Sequence, residues 1–303
     1  MSVSIRIFDT TLREGYAQNG SAVSVEEAVR IARALEEAGV STIEAGSPAY
    51  SQSQRDITKA VAAAVSASEV AALASCDVSE VTAAMEAVRE ARKPVVHVYI
   101  SAHEANQAGA RTRVCRAIRQ AVSMVRAAGM TAQFSIAHIA DMERPFRRQC
   151  IDVAVHAGAT RIGVPDSNGD VPATEYVALV RDIVRFVGPR VVVSAHCHNA
   201  SGHAVENAMA AIEAGAQQVE TTVHGIGPSG GNAALEEVAR RIRARFGNTP
   251  VSVNPIAAIE VGGDAPDTRD SGRVQTFDER PTQAIASPDT SRDWRCRVEV
   301  AAL

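Results

Sequence analysis

Lysine is nearly missing from this chain of 303 residues: of its 31 basic residues, 29 are arginine and only Lys59 and Lys93 are lysine. A reaction that needs a lysine Schiff base, or a lysine gripping a phosphate, therefore has two positions to choose from. Aromatic side chains are scarce at 4%, which argues against a surface that stacks bases or sugars. The net charge is only −4 and the arginines are scattered rather than striped, so there is no electrostatic footprint for nucleic acid. No run approaches the roughly 18 apolar residues of a membrane-spanning helix. The N-terminal MSVSIRIFDTT also lacks a charged segment followed by an apolar one. A soluble, cytoplasmic protein with no nucleic-acid or membrane partner is expected. The five cysteines form no C-x-x-C pair, the pattern of reduced thiols rather than of a zinc cluster.

What is present is a repeat of short β-branched runs and longer amphipathic segments, eight times over. The strand-like runs lie at 5–11, 41–47, 69–75, 94–102, 131–138, 159–167, 190–199 and 217–227. Helix-like stretches separate them, such as 25–39, where Val25, Ala28, Val29, Ala32 and Leu35 recur at helical spacing. Gly39, Gly129, Gly158, Gly215 and Gly247 stand where helices should end. Strands joined by single helices imply right-handed βαβ units and a parallel sheet. Eight units match a closed (β/α)8 TIM barrel over residues 1–248; a doubly wound open sheet is the competitor. Residues 249–303 lose the pattern, with five prolines and alternating charges, and read as a loop-rich or disordered tail, with a short strand possible only in WRCRVEV.

In a parallel barrel the active site forms at the C-terminal ends of the strands. Strand 7 ends in Ala195-His196-Cys197-His198-Asn199; residues two apart on a strand share a face, so His196 and His198 present two imidazoles together, half of a divalent-metal site. Strand 1 ends in Asp9-Thr10-Thr11-Leu12-Arg13-Glu14, and barrel closure brings Glu14 within reach of both histidines. A cation beside a metal ligand weakens metal affinity; Arg13 makes sense if an enolate or oxyanion develops there. The run Gly225–Asn232 contains G-x-G-x-x-G, but it falls at the last βα unit with no acidic ribose ligand after it, so a dinucleotide site is rejected. Its loop, Gly227 included, can still bind an anion through backbone N–H groups. Asn232 either adds an amide oxygen to the metal or caps the last helix. Glu44, which could hold Arg13, shares the rim with His97, Tyr99, Asp166 and Ser167.

Taken together, FDTTLREG (8–15), IEAGSP (43–48), HCHN (196–199) and TVHGIGPSGGNAALEEV (222–238) resemble the DRE-TIM metallolyase family. The nearest branch is that of the 2-isopropylmalate and homocitrate synthases, with the pyruvate carboxyltransferase/HMGL-like domain. The resemblance implies a divalent cation (Mn, Mg, Zn or Co) held by Glu14, His196 and His198, with Asn232 in or beside the shell. It further implies an enolate stabilised by Arg13, a 2-oxo acid contacted by His97 and Ser167, acetyl-CoA as co-substrate, and a homodimer. The implied reaction is a Claisen-type condensation of an acyl-CoA with a 2-oxo acid.

Three departures qualify it. Tyr16 and Ala17 follow Gly15 where the synthases carry Glu-Gln. Strand 5 reads Phe134-Ser135-Ile136-Ala137-His138, so the glutamate of the synthases' F-S-x-E-D pattern is replaced by Ala137, and Gln133 stands where homocitrate synthases have an arginine. No histidine follows His224, although the synthases' C-terminal extension supplies one to a partner subunit. A condensation needs a base; His138 takes that role here, ahead of His103 and Tyr16. The short tail leads to an expectation of no feedback by an end-product amino acid. Two other readings compete: cleavage of a 2-hydroxy acid or hydroxyacyl-CoA by the same metal site, and a degenerate barrel that only binds metal or metabolite.

Overall fold

The computed structural model describes residues 5–19, 23–247 and, beyond those, 251, 252, 254, 255 and 259. Eight parallel strands close into a barrel in chain order: β1 (Arg6–Asp9), β2 (Thr42–Gly46), β3 (Glu69–Ser75), β4 (Pro94–Ser101), β5 (Thr131–Ala137), β6 (Arg161–Asp166), β7 (Val192–Cys197) and β8 (Gln218–Thr221). The seam is β1 on β8, in register from Arg6↔Gln218 to Asp9↔Thr221. Helices α1 (Thr11–Asn19), α2 (Val25–Glu37), α3 (Gln52–Ala64), α4 (Val78–Ala87), α5 (Ala102–Ala105), α6 (Arg111–Ala127), α7 (Arg144–Ala157), α8 (Ala173–Val187), α9 (Ala204–Glu213) and α10 (Leu235–Phe246) surround it. The (β/α)8 expectation holds.

Local chemistry explains the boundaries. In α2, Ser24 accepts a hydrogen bond from the Glu27 amide, and Ala28, Ile31, Ala32 and Leu35 are buried, the spacing of one helical face. The five glycines expected at helix ends all take positive φ, from 76° to 110°, where a side chain would be strained.

Every strand but β3 is shorter than the sequence suggested; β7 ends at Cys197 and leaves His198 just past it, and β1 and β8 show what cuts a strand short. Strand 1 stops at Asp9 because its carboxylate accepts from both the amide and the hydroxyl of Thr11, each at 3.0 Å, which starts α1. Arg13 and Glu14 therefore stand on a helix rather than on the strand end. Strand 8 stops at Thr221, since the chain turns at His224 and Gly225, both at positive φ.

The outer faces of the strands and inner faces of the helices form one apolar core. The barrel interior is polar at both ends. At the N-terminal end Glu69 accepts from Arg6 and Arg161, each at 2.6 Å, and from Thr42 at 2.5 Å, a charged plug in which every cation has a carboxylate. Lys59 lies in α3 and Lys93 immediately precedes β4 at the plugged end. Past α10, Val251 and Ile259 are buried, and the Ser252 amide donates to Ala38 O at 2.8 Å. The tail expected from 249 on, WRCRVEV included, otherwise lies outside the described residues. Among the described residues no helix is long and apolar enough to cross a membrane.

Candidate active site

Two buried chains of polar contacts meet at the C-terminal mouth of the barrel. One is built on β7 and β8. His196 and Glu220 are partners in register across these strands, and His196 Nδ1 donates to Glu220 Oε2 at 2.7 Å. Glu220 in turn accepts from Ser194 Oγ at 2.9 Å and from Gln133 Nε2 at 2.8 Å. His198, just past β7, donates from Nδ1 to the Pro228 carbonyl at 3.1 Å. Both Nδ1 atoms are thus committed as donors, which leaves the lone pairs of the two histidines on Nε2. Those two Nε2 atoms face each other at 3.0 Å, and His196 Nε2 lies 3.6 Å from Glu14 Oε1.

Three lone-pair donors converging in a buried space repel one another unless a cation lies between them. Without a metal the cation is a proton. Burial opposes charge on His196, but the hydrogen bond and charge of Glu220, with Glu14, raise its pKa. Burial and the neighbouring His196 push His198 down to about 4. One carboxylate and two neutral imidazoles, oriented by outer partners, form a donor set suited to a divalent metal.

The second chain runs from Glu14 across the mouth. Arg13 Nη1 contacts Glu14 Oε1 at 2.8 Å, and Arg13 Nε donates to Glu44 Oε2. The other Glu44 oxygen is 2.8 Å from His97 Nδ1, and His97 Nε2 is 2.6 Å from Ser135 Oγ. Glu44 is completely buried. Burial alone would raise its pKa, yet the charges and hydrogen bonds of Arg13 and His97 hold it at about 2. Arg13 is likewise held protonated, burial being outweighed by Glu14 and Glu44. Glu44 pairs with Ala71 on β3, and the register shifts just after it, before Gly46.

The glycine loop closes over this cluster. A Cβ on Gly227 would come within 2.2 Å of Asn232 Nδ2 and 3.4 Å of Glu14 Cβ, and its φ is 133°, so only glycine lets the loop approach so closely. Asn232 Nδ2 donates to Ile226 O at 3.0 Å, and its backbone bridges to His198. Ala234, not Asn232, is the N-cap of α10. That removes the capping alternative and leaves the amide oxygen of Asn232 as the atom available to a cation.

Arg13, Glu14, Glu44, His97, His196, His198, Gly227 and Asn232 are thus connected. Ser167 and His138 are in contact with one another: Ser167 Oγ accepts from the His138 amide at 2.9 Å. His138, at φ 54° and ψ 41°, follows β5 and stacks on His103 with centroids 4.4 Å apart; His103 Nε2 lies 3.5 Å from Asp141 Oδ2. Tyr99 lies on β4 in register with Ser75 and Ser135. Glu220, Ser135 and Gln133 were not anticipated as site residues. The sign of Glu220 was readable: an acid inside QVET, a buried strand, needs a cation or donor.

With this geometry in view, similarity to known proteins takes on meaning. The profile of the HMGL-like family matches residues 4–261. A 2-isopropylmalate synthase of Caulobacter vibrioides is 37% identical over 261 residues, covering 84% of this chain and 50% of the relative. One from Staphylococcus aureus (strain JH9) is 40% identical over 251 residues, 81% of this chain and 49% of the relative. The chain spans about half the length of these relatives. Among solved structures, the HMG-CoA lyase of Bacillus subtilis superposes with a TM-score of 0.72 at 17% identity, covering 84% of this chain and 90% of the lyase. The carboxyl transferase domain of Rhizobium etli pyruvate carboxylase gives 0.68 at 14% identity, over 84% of this chain and 45% of that one. These last two likenesses are of fold.

Proposed function

The chain belongs to the HMGL-like family, and from that membership and the barrel mouth we propose that it condenses an acyl-CoA, acetyl-CoA in the simplest case, with a 2-oxo acid. The observation that carries the reading is the convergence of Glu14, His196 and His198, whose ligand atoms all lie within 4.8 Å of one another, beside a buried arginine. With Asn232, these residues would hold a divalent cation. When bound, it supplies Lewis-acid polarisation of the keto group of the 2-oxo acid.

The remaining chemistry belongs to the chain. A base removes a proton from the acyl-CoA methyl carbon; His138, at the end of β5, takes that proton in place of the carboxylate missing at Ala137. The resulting carbon nucleophile attacks the keto carbon, one carbon–carbon bond forms, and the carbonyl electron pair moves to oxygen. Arg13, fixed by Glu14 and Glu44, stabilises the negative charge. Water then hydrolyses the thioester and the CoA thiol leaves. Both ring nitrogens of His97 are already engaged, with Glu44 and Ser135, so His97 meets the 2-oxo acid only by exchanging the Ser135 contact; Ser167, just past β6, whose Oγ accepts from the His138 amide, would be its second contact.

The experiment is thiol release from acetyl-CoA by the metal-loaded protein over a panel of 2-oxo acids. Turnover with one of them, lost in His138→Ala while metal is retained, supports the reading. Wild-type turnover in His138→Ala removes His138 as the base. Ala137 favours a second reading, because the lyases and aldolases that resemble this chain do not need the strand-5 carboxylate. In that case hydroxy acids or hydroxyacyl-CoA substrates are cleaved and no thiol appears.

A further inference from the structure

Away from the barrel mouth, the outer flank carries a charge imbalance that neither the fold nor the bond-making steps proposed at the mouth use. Between α7 and α8 lies a cleft of about 570 Å³ whose lining includes Arg144, Arg147, Arg181 and Arg185, with Glu175 and Asp182 as its acids. Asp182 is already taken: it accepts from Arg144 at 2.5 Å and from neighbouring Arg148 at 2.6 Å. Arg181 and Arg185, four residues apart on α8 and both exposed, share a helix face, where like charges repel. Among the described residues neither has a hydrogen-bond or ion-pair partner.

Arg147 sharpens the imbalance. It is only 9% exposed, and its Nη1 donates to the carbonyl oxygens of Ile139 and Met142 at 3.3 and 3.2 Å. Its Nε is buried with no hydrogen-bond partner. Burial disfavours its charge, and Arg144 and Arg148 oppose the help of Asp182. A buried guanidinium facing other guanidiniums, with carbonyl dipoles as its own hydrogen-bond partners, is a costly arrangement unless an anion completes it.

We infer that this cleft binds the phosphate groups of a small molecule. Planar guanidinium forks arriving from two helices match the several oxygens of a phosphate or diphosphate. The volume falls in the range of small-molecule sites rather than that of a single ion. Two sources share this chemistry: the phosphates of an acyl-CoA, an assignment that rests on the condensation reading, and a separate phosphorylated ligand, which does not. Either would bear on the turn after β5, because Arg147 holds the carbonyls that follow His138.

The test is calorimetric titration of the full chain with inorganic pyrophosphate, CoA and acetyl-pantetheine, in wild type and Arg181→Glu/Arg185→Glu. Circular dichroism checks the fold, and Arg181→Gln/Arg185→Gln serves if charge reversal unfolds the chain. Wild type should bind pyrophosphate, more weakly as salt rises, and the double variant at least about tenfold more weakly. If CoA binding falls with it while acetyl-pantetheine is unaffected, the CoA phosphates occupy the cleft. If CoA binding is unchanged, a separate phosphorylated ligand does. Absence of pyrophosphate binding in wild type, or equal binding in the variant, overturns the inference. None of these readouts requires turnover, so failure of the condensation reading would be seen separately.

Discussion

Glu220→Gln isolates the outer partner of the candidate metal site. The substitution keeps shape and volume while removing the charge that His196 Nδ1 addresses at 2.7 Å. Glu220 also accepts from Ser194 and Gln133, so an amide there must turn its NH2 toward at least one donor. A charge-assisted hydrogen bond contributes about 1.5–3 kcal/mol against about 0.5–1.5 for a neutral one, and the difference is about 1–2 kcal/mol. Loss of such a carboxylate–histidine partner typically weakens metal binding by about 10- to 100-fold, which is about 1.4–2.7 kcal/mol at 1.36 per decade. The two routes agree.

Competition against a chromophoric chelator reads the affinity directly, with zinc or manganese, and needs no substrate. Glu69→Gln is the control: it also removes a hydrogen-bonded carboxylate, but in the plug at the opposite end of the barrel, and should lower thermal stability without touching metal affinity. If Glu220→Gln binds metal within about threefold of wild type, the fixed tautomer of His196 is not what organises this site. If both variants weaken metal equally, a general loosening of the barrel is responsible.

Three further outcomes follow from the same contacts. Gly227→Ala places a methyl 2.2 Å from Asn232 Nδ2 at φ 133° and should cost on the order of 1–3 kcal/mol, read as a lowered Tm with weaker metal binding; an unchanged Tm would mean the loop is not held against Glu14. Glu44, depressed to about 2, adds stability that is complete above its unfolded value near 4.5 and is lost as pH falls toward 2, on the order of 3 kcal/mol in all; acid unfolding of Glu44→Gln should therefore be flatter than wild type through that window, and parallel curves would refute the assignment. Lys59→Arg/Lys93→Arg should keep full activity, and borohydride should trap no 2-oxo acid on the protein; a tenfold loss would reopen lysine chemistry.

Much of the fold was legible because its determinants are local and repeated. All eight strand-like runs became strands, and the five glycines at helix ends adopted the backbone that only glycine takes easily. The H-x-H pair was legible for the same reason, since the period of two along a strand is a local property. Arg13 and Glu14 were recognised but set on the wrong element: the Asp9–Thr11 contacts that end the strand pit side-chain hydrogen bonds against the ladder, and an apolar pattern carries no record of that competition. Ser135 and Gln133 escaped because their roles exist only through partners far along the chain, His97 and Glu220.

The scarcity of lysine gains a structural meaning at residue 13. One side chain there must face Glu14, through Nη1, and Glu44, through Nε, at once. A lysine offers one ammonium point for two carboxylates on different elements, whereas the planar guanidinium offers separate donors at fixed angles. Arg13 thereby ties α1, which carries Glu14, to β2, and through Glu44 and His97 to Ser135 on β5. The substitution at Ala137 falls two residues beyond the end of that chain. Every contact from His198 to Ser135 is present without the carboxylate that the resemblance to the synthases leads one to expect, so on the proposed reading the residues that would bind and polarise are separable from the group that would move the proton. On that reading His138→Ala should keep its metal affinity and lose turnover, and loss of both together would refute the separation.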